Sequence, residues 1–151
     1  VTPVGHSLIK EVMIKNNAIF GGESSGHYFY KKSYGTFEMP VILIAKFLKF
    51  LSDKNTSFSE AVKPYLKYFH SGEINLAVKN QQAVFKAVET KYKEGKIIKL
   101  DGVTVEYPDW WFNLRASNTE PVVRLNLEAR TRELMKNKVA ELSRFIEEIN
   151  S

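Results

Sequence analysis

Between Val122 and Ala129 the sequence alternates with period two, Val123, Leu125 and Leu127 against Arg124, Asn126 and Glu128. Successive side chains of a strand point to opposite faces, so this segment predicts a strand with one dry and one wet face. Such a strand needs partners, and the chain supplies them. Ile74, Leu76 and Val78 alternate with Glu73, Asn75 and Ala77 from Gly72 to Val78, and Trp110 to Leu114 is strand-like. Asp101-Gly102, between Ile97–Leu100 and Val103–Tyr107, is a strong short-hairpin signal, and Pro108-Asp109 makes a further turn. Two amphipathic stretches accompany the strands. Gln82 to Lys93 gathers Val84, Ala87, Val88 and Tyr92 on one side, and a final helix, with Thr131 as its cap, carries a stripe of Met135, Val139, Leu142, Ile146 and Ile149. The expectation for residues 57–151 is an α+β carboxy-terminal domain, a four-stranded, mainly antiparallel sheet covered on one side by helices. Its hairpins are local, so it should fold without help.

Residues 1–51 read differently, as the truncated remnant of an α/β domain. Ser7 is placed to cap a short helix with Leu8, Ile9, Val12 and Met13 on one face, ended by Asn16-Asn17. Ala18-Ile19-Phe20 reads as a buried strand delivering Gly21-Gly22 at its carboxyl end, and Tyr28-Phe29-Tyr30 as a second strand. After Pro40 comes a helix with Ile42, Leu43, Phe47, Phe50 and Leu51 needing cover on several sides. Two short strands and two helices can hardly bury it. Three outcomes stay open: packing on the second domain, self-association through the exposed remnant, or loose order. Ser52 to Thr56 is read as a polar linker, and Ser57-x-x-Glu60 as a capping box opening a helix to about Tyr65.

Between the last two strands lies Arg115-Ala116-Ser117-Asn118-Thr119-Glu120-Pro121. A guanidinium, two hydroxyls and an amide within five positions suit an oxyanion. Arg offers a planar fork to two phosphate oxygens, and hydroxyls and backbone N–H groups can serve the other lone pairs. The alternative is a polar turn in which Ser117, Asn118 and Thr119 bond their own backbone. Upstream, Gly21-Gly22-Glu23-Ser24-Ser25-Gly26-His27 sets a carboxylate between small residues, able to accept from vicinal sugar hydroxyls, with Ser25 beside it. His27 can donate to a ring or phosphate oxygen if the proton is on the right nitrogen. A plain glycine-rich turn is the alternative there.

Together the two strings resemble the sugar-binding loop, Gly-Glu-x-Ser-Gly-His, and the phosphate-binding loop, Arg-x-Ser-Asn-Thr-Glu-Pro, of the α-D-phosphohexomutases. The resemblance extends through Val4-Gly5-His6-Ser7, Ser71-Gly72-Glu73-Ile74-Asn75 and Leu100-Asp101-Gly102-Val103. It implies the carboxy-terminal part of a phosphomannomutase/phosphoglucomutase, interconverting hexose 1-phosphate and hexose 6-phosphate through a bisphosphate. It carries sugar binding onto Glu23 and Ser25, nearness to the ligand onto His27 and His6, and phosphate binding onto Arg115, Ser117, Asn118 and Thr119. The family's phosphorylated serine and aspartate-rich magnesium loop have no counterpart here, so the resemblance implies no catalytic or metal residue in this stretch. Mg2+ is expected in upstream catalytic domains of the same chain, and hexose phosphate and hexose bisphosphate are the expected ligands. Asn118 favours the phosphomannomutase/phosphoglucomutase branch, because phosphoglucosamine mutases usually carry Gly there. Lys31 to Pro40 departs from many relatives, which have acidic residues before the next helix.

Composition narrows the classes. No apolar run spans a bilayer, since Lys46 and Lys49 interrupt Val41 to Leu51, so no membrane partner is expected. The absence of cysteine removes disulfides and thiolate metal sites and fits a cytoplasmic protein, and three histidines at 6, 27 and 70 make no metal cluster. The net charge of +5 is spread along helix faces that alternate Lys with Glu, and nucleic acid is not expected. Trp110 and Trp111 are read as packing and His70 as outside any motif. A stand-alone phosphosugar- or anion-binding module without catalysis is the alternative function.

Overall fold

The computed structural model describes residues 2–23, 25–117 and 119–150. The chain divides into two compact units, Val1–Tyr65 and Leu66–Ser151.

In the first unit, α1 (His6–Lys15) leads into an antiparallel meander of β1 (Phe20–Gly22), β2 (Tyr28–Lys32) and β3 (Gly35–Glu38). Gly5, not Ser7, caps α1, and no side chain closes its start. Ile9 and Met13, one turn apart, are buried with Phe29 of β2, so the helix and the meander share a small core. The strand expected at Ala18–Phe20 lies two residues later and is not buried. It is a sheet edge on which Phe20 stacks on Tyr28 and packs at a tilt against Tyr30, and the glycines lie inside the strand. Strand β3 had no signal in the sequence, because Gly-Thr-Phe-Glu carries no period-two pattern of apolar residues.

Pro40 occupies the first turn of α2 (Pro40–Lys54), where its missing N–H costs nothing. The expected linker begins later than read, since Ser52 to Lys54 complete this helix and Asn55 ends it in the left-handed conformation. No residue of α2 is buried, and Val41, Ile44 and Leu48 are exposed along one face. Ser57 accepts from the Glu60 N–H at 3.3 Å, opening α3 (Phe58–Val62), which tightens into a 3-10 turn over Lys63–Tyr65.

The second unit is a five-stranded, wholly antiparallel sheet in the order β4-β8-β7-β6-β5. Its strands are β4 (Phe69–Ala77), β5 (Lys96–Ile98), β6 (Val103–Glu106), β7 (Trp110–Ala116) and β8 (Val122–Ala129). The strand count is thus one more than expected, and the three-residue edge strand β5 overlaps the first arm of the expected Asp101-Gly102 hairpin. Helices α4 (Gln81–Lys91) and α5 (Arg132–Asn150) cover one face. Val84, Phe85 and Val88 of α4 and Leu142 and Ile146 of α5 pack on Phe112, Leu114, Val123, Leu125 and Leu127. Alternation puts Glu73, Asn113, Arg115, Arg124 and Asn126 on the other face, away from α4 and α5. Thr131 caps α5 as expected, its hydroxyl accepting from the Leu134 N–H at 3.1 Å.

The Asp101-Gly102 hairpin is wider than its sequence suggests. Pairing stops at Ile98↔Thr104, so the two residues sit in a longer loop. Gly102 has φ +70, and a Cβ there would come within 2.2 Å of the Leu114 carbonyl oxygen and 2.8 Å of Arg115 Cα. The glycine serves a close crossing over β7 rather than a two-residue turn. No helix of the described residues is long and apolar enough to cross a membrane.

Candidate functional site

In the second unit the loop after β7 is tied down before any ligand arrives. The Ser117 N–H donates to the Val122 carbonyl at 3.1 Å, and the Val122 N–H to that of Glu120 at 2.8 Å. Gln81, opening α4, donates through Nε2 to the carbonyls of Ser117 (3.3 Å) and Val122 (3.0 Å). Asn80 caps that helix by accepting from Ala83 N–H at 3.0 Å. The loop therefore lies against the positive end of a helix dipole. Ser117 is buried, and its Oγ lies 3.4 Å from both Thr119 Oγ1 and the Thr119 N–H. Asn118 lies outside the described residues.

Arg115, just before the loop, is part of a cluster drawn from three strands. Its Nη2 donates to Glu73 Oε2 at 2.7 Å, while Arg124 Nη1 is 3.4 Å from Glu73 Oε1. Each carboxylate oxygen thus holds one guanidinium. Register explains the meeting: Arg115 pairs with Arg124 across β7 and β8, and Glu73 pairs with Asn126 across β4 and β8. A β-bulge between His70 and Glu73 sets that last alignment. Ser71 fills the gap in the ladder, its Oγ accepting from Leu127 N–H at 3.0 Å, and His70 Nδ1 accepts from Gly72 N–H at 2.9 Å. His70 is therefore structural. The Arg115 hydrogen bond, chiefly, holds the Glu73 carboxyl below its ordinary range. Arg124 Nε is buried and has no hydrogen-bond partner among the described residues. Two guanidiniums against one carboxylate leave an excess positive charge, and five N–H donors per Arg leave donors to spare for an oxyanion.

In the first unit, Glu23, Ser25, Gly26 and His27 lie between β1 and β2, and Ser24 lies outside the described residues. The Glu23 N–H donates to the His27 carbonyl at 2.9 Å, and the Gly26 N–H to that of Glu23 at 3.0 Å. Glu23 is half-buried, while Ser25 and His27 are exposed at the rim. His6, the first residue of α1, comes to the same place, its ring centroid 6.3 Å from that of His27 and 5.0 Å from that of Phe29. Glu38, the last residue of β3, joins them: His27 Nδ1 lies 2.8 Å from Oε1, and His6 Nε2 lies 3.0 Å from Oε2. The Glu38 contact, foremost, raises the pKa of His27, and the charge of Glu23 adds to it. The carboxyl of Glu38 is correspondingly held low, first by its His27 hydrogen bond.

Every candidate among the described residues thus falls in one of two groups, His6, Glu23, Ser25 and His27 in the first unit and Arg115, Ser117 and Thr119 in the second. Sequence reasoning missed Glu38 and Arg124 and met Glu73 only as part of a resembling string. Glu38 lies 32 residues from His6, a juxtaposition that no local pattern announces. Among the described residues no three His, Asp or Glu side chains come together as metal ligands. These residues therefore do not fit the Mg2+ that the resemblance places in upstream domains.

Comparison with known proteins adds independent findings. Residues 1–68 match the family described as phosphoglucomutase/phosphomannomutase, alpha/beta/alpha domain III, and residues 73–144 match the phosphoglucomutase/phosphomannomutase C-terminal domain. The chain is 42% identical over 148 residues to a phosphomannomutase of Methanocaldococcus jannaschii, covering 98% of this chain and 33% of the relative. It is 37% identical over 133 residues to a phosphomannomutase/phosphoglucomutase of Pseudomonas aeruginosa, covering 85% and 29%. A crystal structure of a phosphoglucomutase/phosphomannomutase family protein from Burkholderia thailandensis superposes with a TM-score of 0.78 at 28% identity, covering 98% of this chain and 32% of that one. The chain spans about a third of the length of the curated relatives it matches.

Proposed function

Because the chain belongs to the phosphoglucomutase/phosphomannomutase family, we propose that it is the substrate-holding part of an enzyme interconverting hexose 1-phosphate and hexose 6-phosphate, with mannose, glucose or both as the sugar. The observation that carries this reading is the Arg115 loop. One strand presents a guanidinium, held on Glu73 with Arg124 beside it, and runs straight into a loop whose buried serine meets a threonine hydroxyl and whose carbonyls are held by Gln81 at the start of α4. A phosphate monoester dianion is the ligand whose charge and geometry suit that set.

In this reading Arg115, Ser117, Asn118 and Thr119 hold the phosphate that is not reacting. Glu23 and Ser25 accept from and donate to the sugar hydroxyls, and His27 and His6 stand at its rim. A bisphosphate intermediate turned end for end presents either phosphate to the same loop, so one phosphate site serves both directions. Binding energy gained away from the reacting centre is useful in phosphoryl transfer because it fixes position and favours closure of the site. The transfer itself is assigned to catalytic domains outside these residues, together with Mg2+, and the 151-residue chain alone is expected to bind without turnover.

The test is Arg115→Ala in the whole enzyme. Hydrogen bonds to a charged group contribute about 1.5–3 kcal/mol, and 1.4 kcal/mol is tenfold, so KM for the hexose phosphate should rise roughly 10- to 100-fold with the fold intact. An unchanged KM would sink the assignment.

A further inference from the structure

Glu38 is a single carboxylate shared by two histidines that arrive from separate elements, the start of α1 and the exit of the β1–β2 turn. An ionised carboxylate only accepts, so each ring nitrogen facing it must carry the proton. That places N–H on Nδ1 of His27 and on Nε2 of His6. A neutral imidazole donates from one nitrogen and accepts at the other. Neutral His27 therefore offers only a lone pair at Nε2, the nitrogen turned away from Glu38.

From this we infer that Glu38 is a positioning residue that fixes the tautomers of both histidines, so that His27 can donate through Nε2 to a phosphate or ring oxygen only as an imidazolium. The inference rests on the reading of the Glu23–His27 turn as sugar-binding, and it supplies the condition that reading needs. Among the described residues, the titratable and charged groups around the His27 ring are Glu38 from β3, Glu23 from its own turn and His6 from α1. Both carboxylates favour the cation, which agrees with the raised pKa of His27. Its sign follows: the donor at Nε2 is present below that raised pKa and is lost as pH rises through it. Substrate binding should weaken over the same window, and Glu38 should set where the window lies.

The test follows imidazole nitrogens by 15N NMR in the 151-residue chain, with glucose 1-phosphate as the probe. Between about pH 7 and 9 a phosphate monoester, with a second pKa of about 6, stays dianionic, so changes in affinity there belong to the protein. Neutral His27 should show its proton on Nδ1, and glucose 1-phosphate should raise its midpoint. Glu38→Gln should lower that midpoint and weaken binding several-fold at neutral pH, with the deficit shrinking toward pH 9, while Glu38→Asp restores part of both.

A proton on Nε2 of neutral His27, or the same midpoint with and without Glu38, would overturn the inference. So would glucose 1-phosphate shifting the amides of 115–119 while leaving the His27 midpoint in place, and that result would spare the wider reading. No shifts at either loop would overturn both. Should Glu38→Gln fail to fold, the tautomer and the ligand-induced midpoint change in the unaltered chain decide by themselves.

Discussion

Replacing Gly102 with alanine tests whether the crossing over β7 shapes the phosphate loop. Gly72 provides the control, because it too has positive φ, +74 against +70, but a Cβ there meets nothing within 4 Å. Left-handed backbone costs an L-residue roughly 1–2 kcal/mol, so Gly72→Ala should lose about 1 kcal/mol. Gly102→Ala adds contacts of 2.2 Å to the Leu114 carbonyl oxygen and 2.8 Å to Arg115 Cα, both on backbone that no rotamer can clear. Overpacking of that kind costs roughly 1–3 kcal/mol, which brings the total to about 3 kcal/mol. At roughly 4–8 °C per kcal/mol for a unit of this size, Tm should fall by about 5 °C for the first variant and about 15 °C for the second. The chain's two tryptophans, Trp110 and Trp111, both lie in the second unit, so fluorescence-detected urea unfolding reports that unit directly. Because the clash falls on Arg115 Cα, Gly102→Ala should also weaken phosphate binding. Equal destabilisation by the two variants would refute the reasoning.

Three further outcomes follow from the same geometry. Leu142→Ala removes a fully buried side chain between α5 and the sheet, and should cost about 3 kcal/mol by cavity formation in the same urea assay. Arg115→Lys keeps the charge but loses the planar guanidinium whose Nη2 bonds Glu73, so if the loop binds phosphate, calorimetry should show phosphate affinity reduced by roughly tenfold, one lost charge-assisted bond. Glu73 has a depressed folded-state pKa, so its contribution to stability is present above the unfolded value of about 4.3 and is lost as pH falls through the lower folded value. The 13C carboxyl titration of Glu73 should accordingly have its midpoint below that of an unfolded-chain glutamate, and Arg115→Ala should bring it back up.

What could be read from the sequence was what repeats locally. Strand β8 and helix α5 carry periods of 2 and 3.6 over many residues, and their buried positions fell where the pattern put them. Asp101-Gly102 marked a hairpin the structure has but not its width, because a dipeptide rule considers two strands, whereas Gly102 is used against a third, β7. Ala18-Ile19-Phe20 misled because apolar residues can also cover one another at a sheet edge, as Phe20 does with Tyr28 and Tyr30. The candidate site divides in the same way. Arg115, Ser117 and Thr119 were legible because they are nearly contiguous, and so were Glu23, Ser25 and His27. Glu73, Arg124 and Glu38 reach those residues through strand register and a bulge, which depend on long-range pairing.

The proposed roles are phosphate binding at the Arg115 loop and sugar-hydroxyl binding at the turn of Glu23, Ser25 and His27. An amide NMR titration of the 151-residue chain with glucose 1-phosphate, mannose 1-phosphate and inorganic phosphate tests them most directly. All three ligands should shift the amides of 115–119, and only the two sugars should shift those of 23–27. A well-dispersed spectrum in which none of the three ligands moves either loop would contradict both roles.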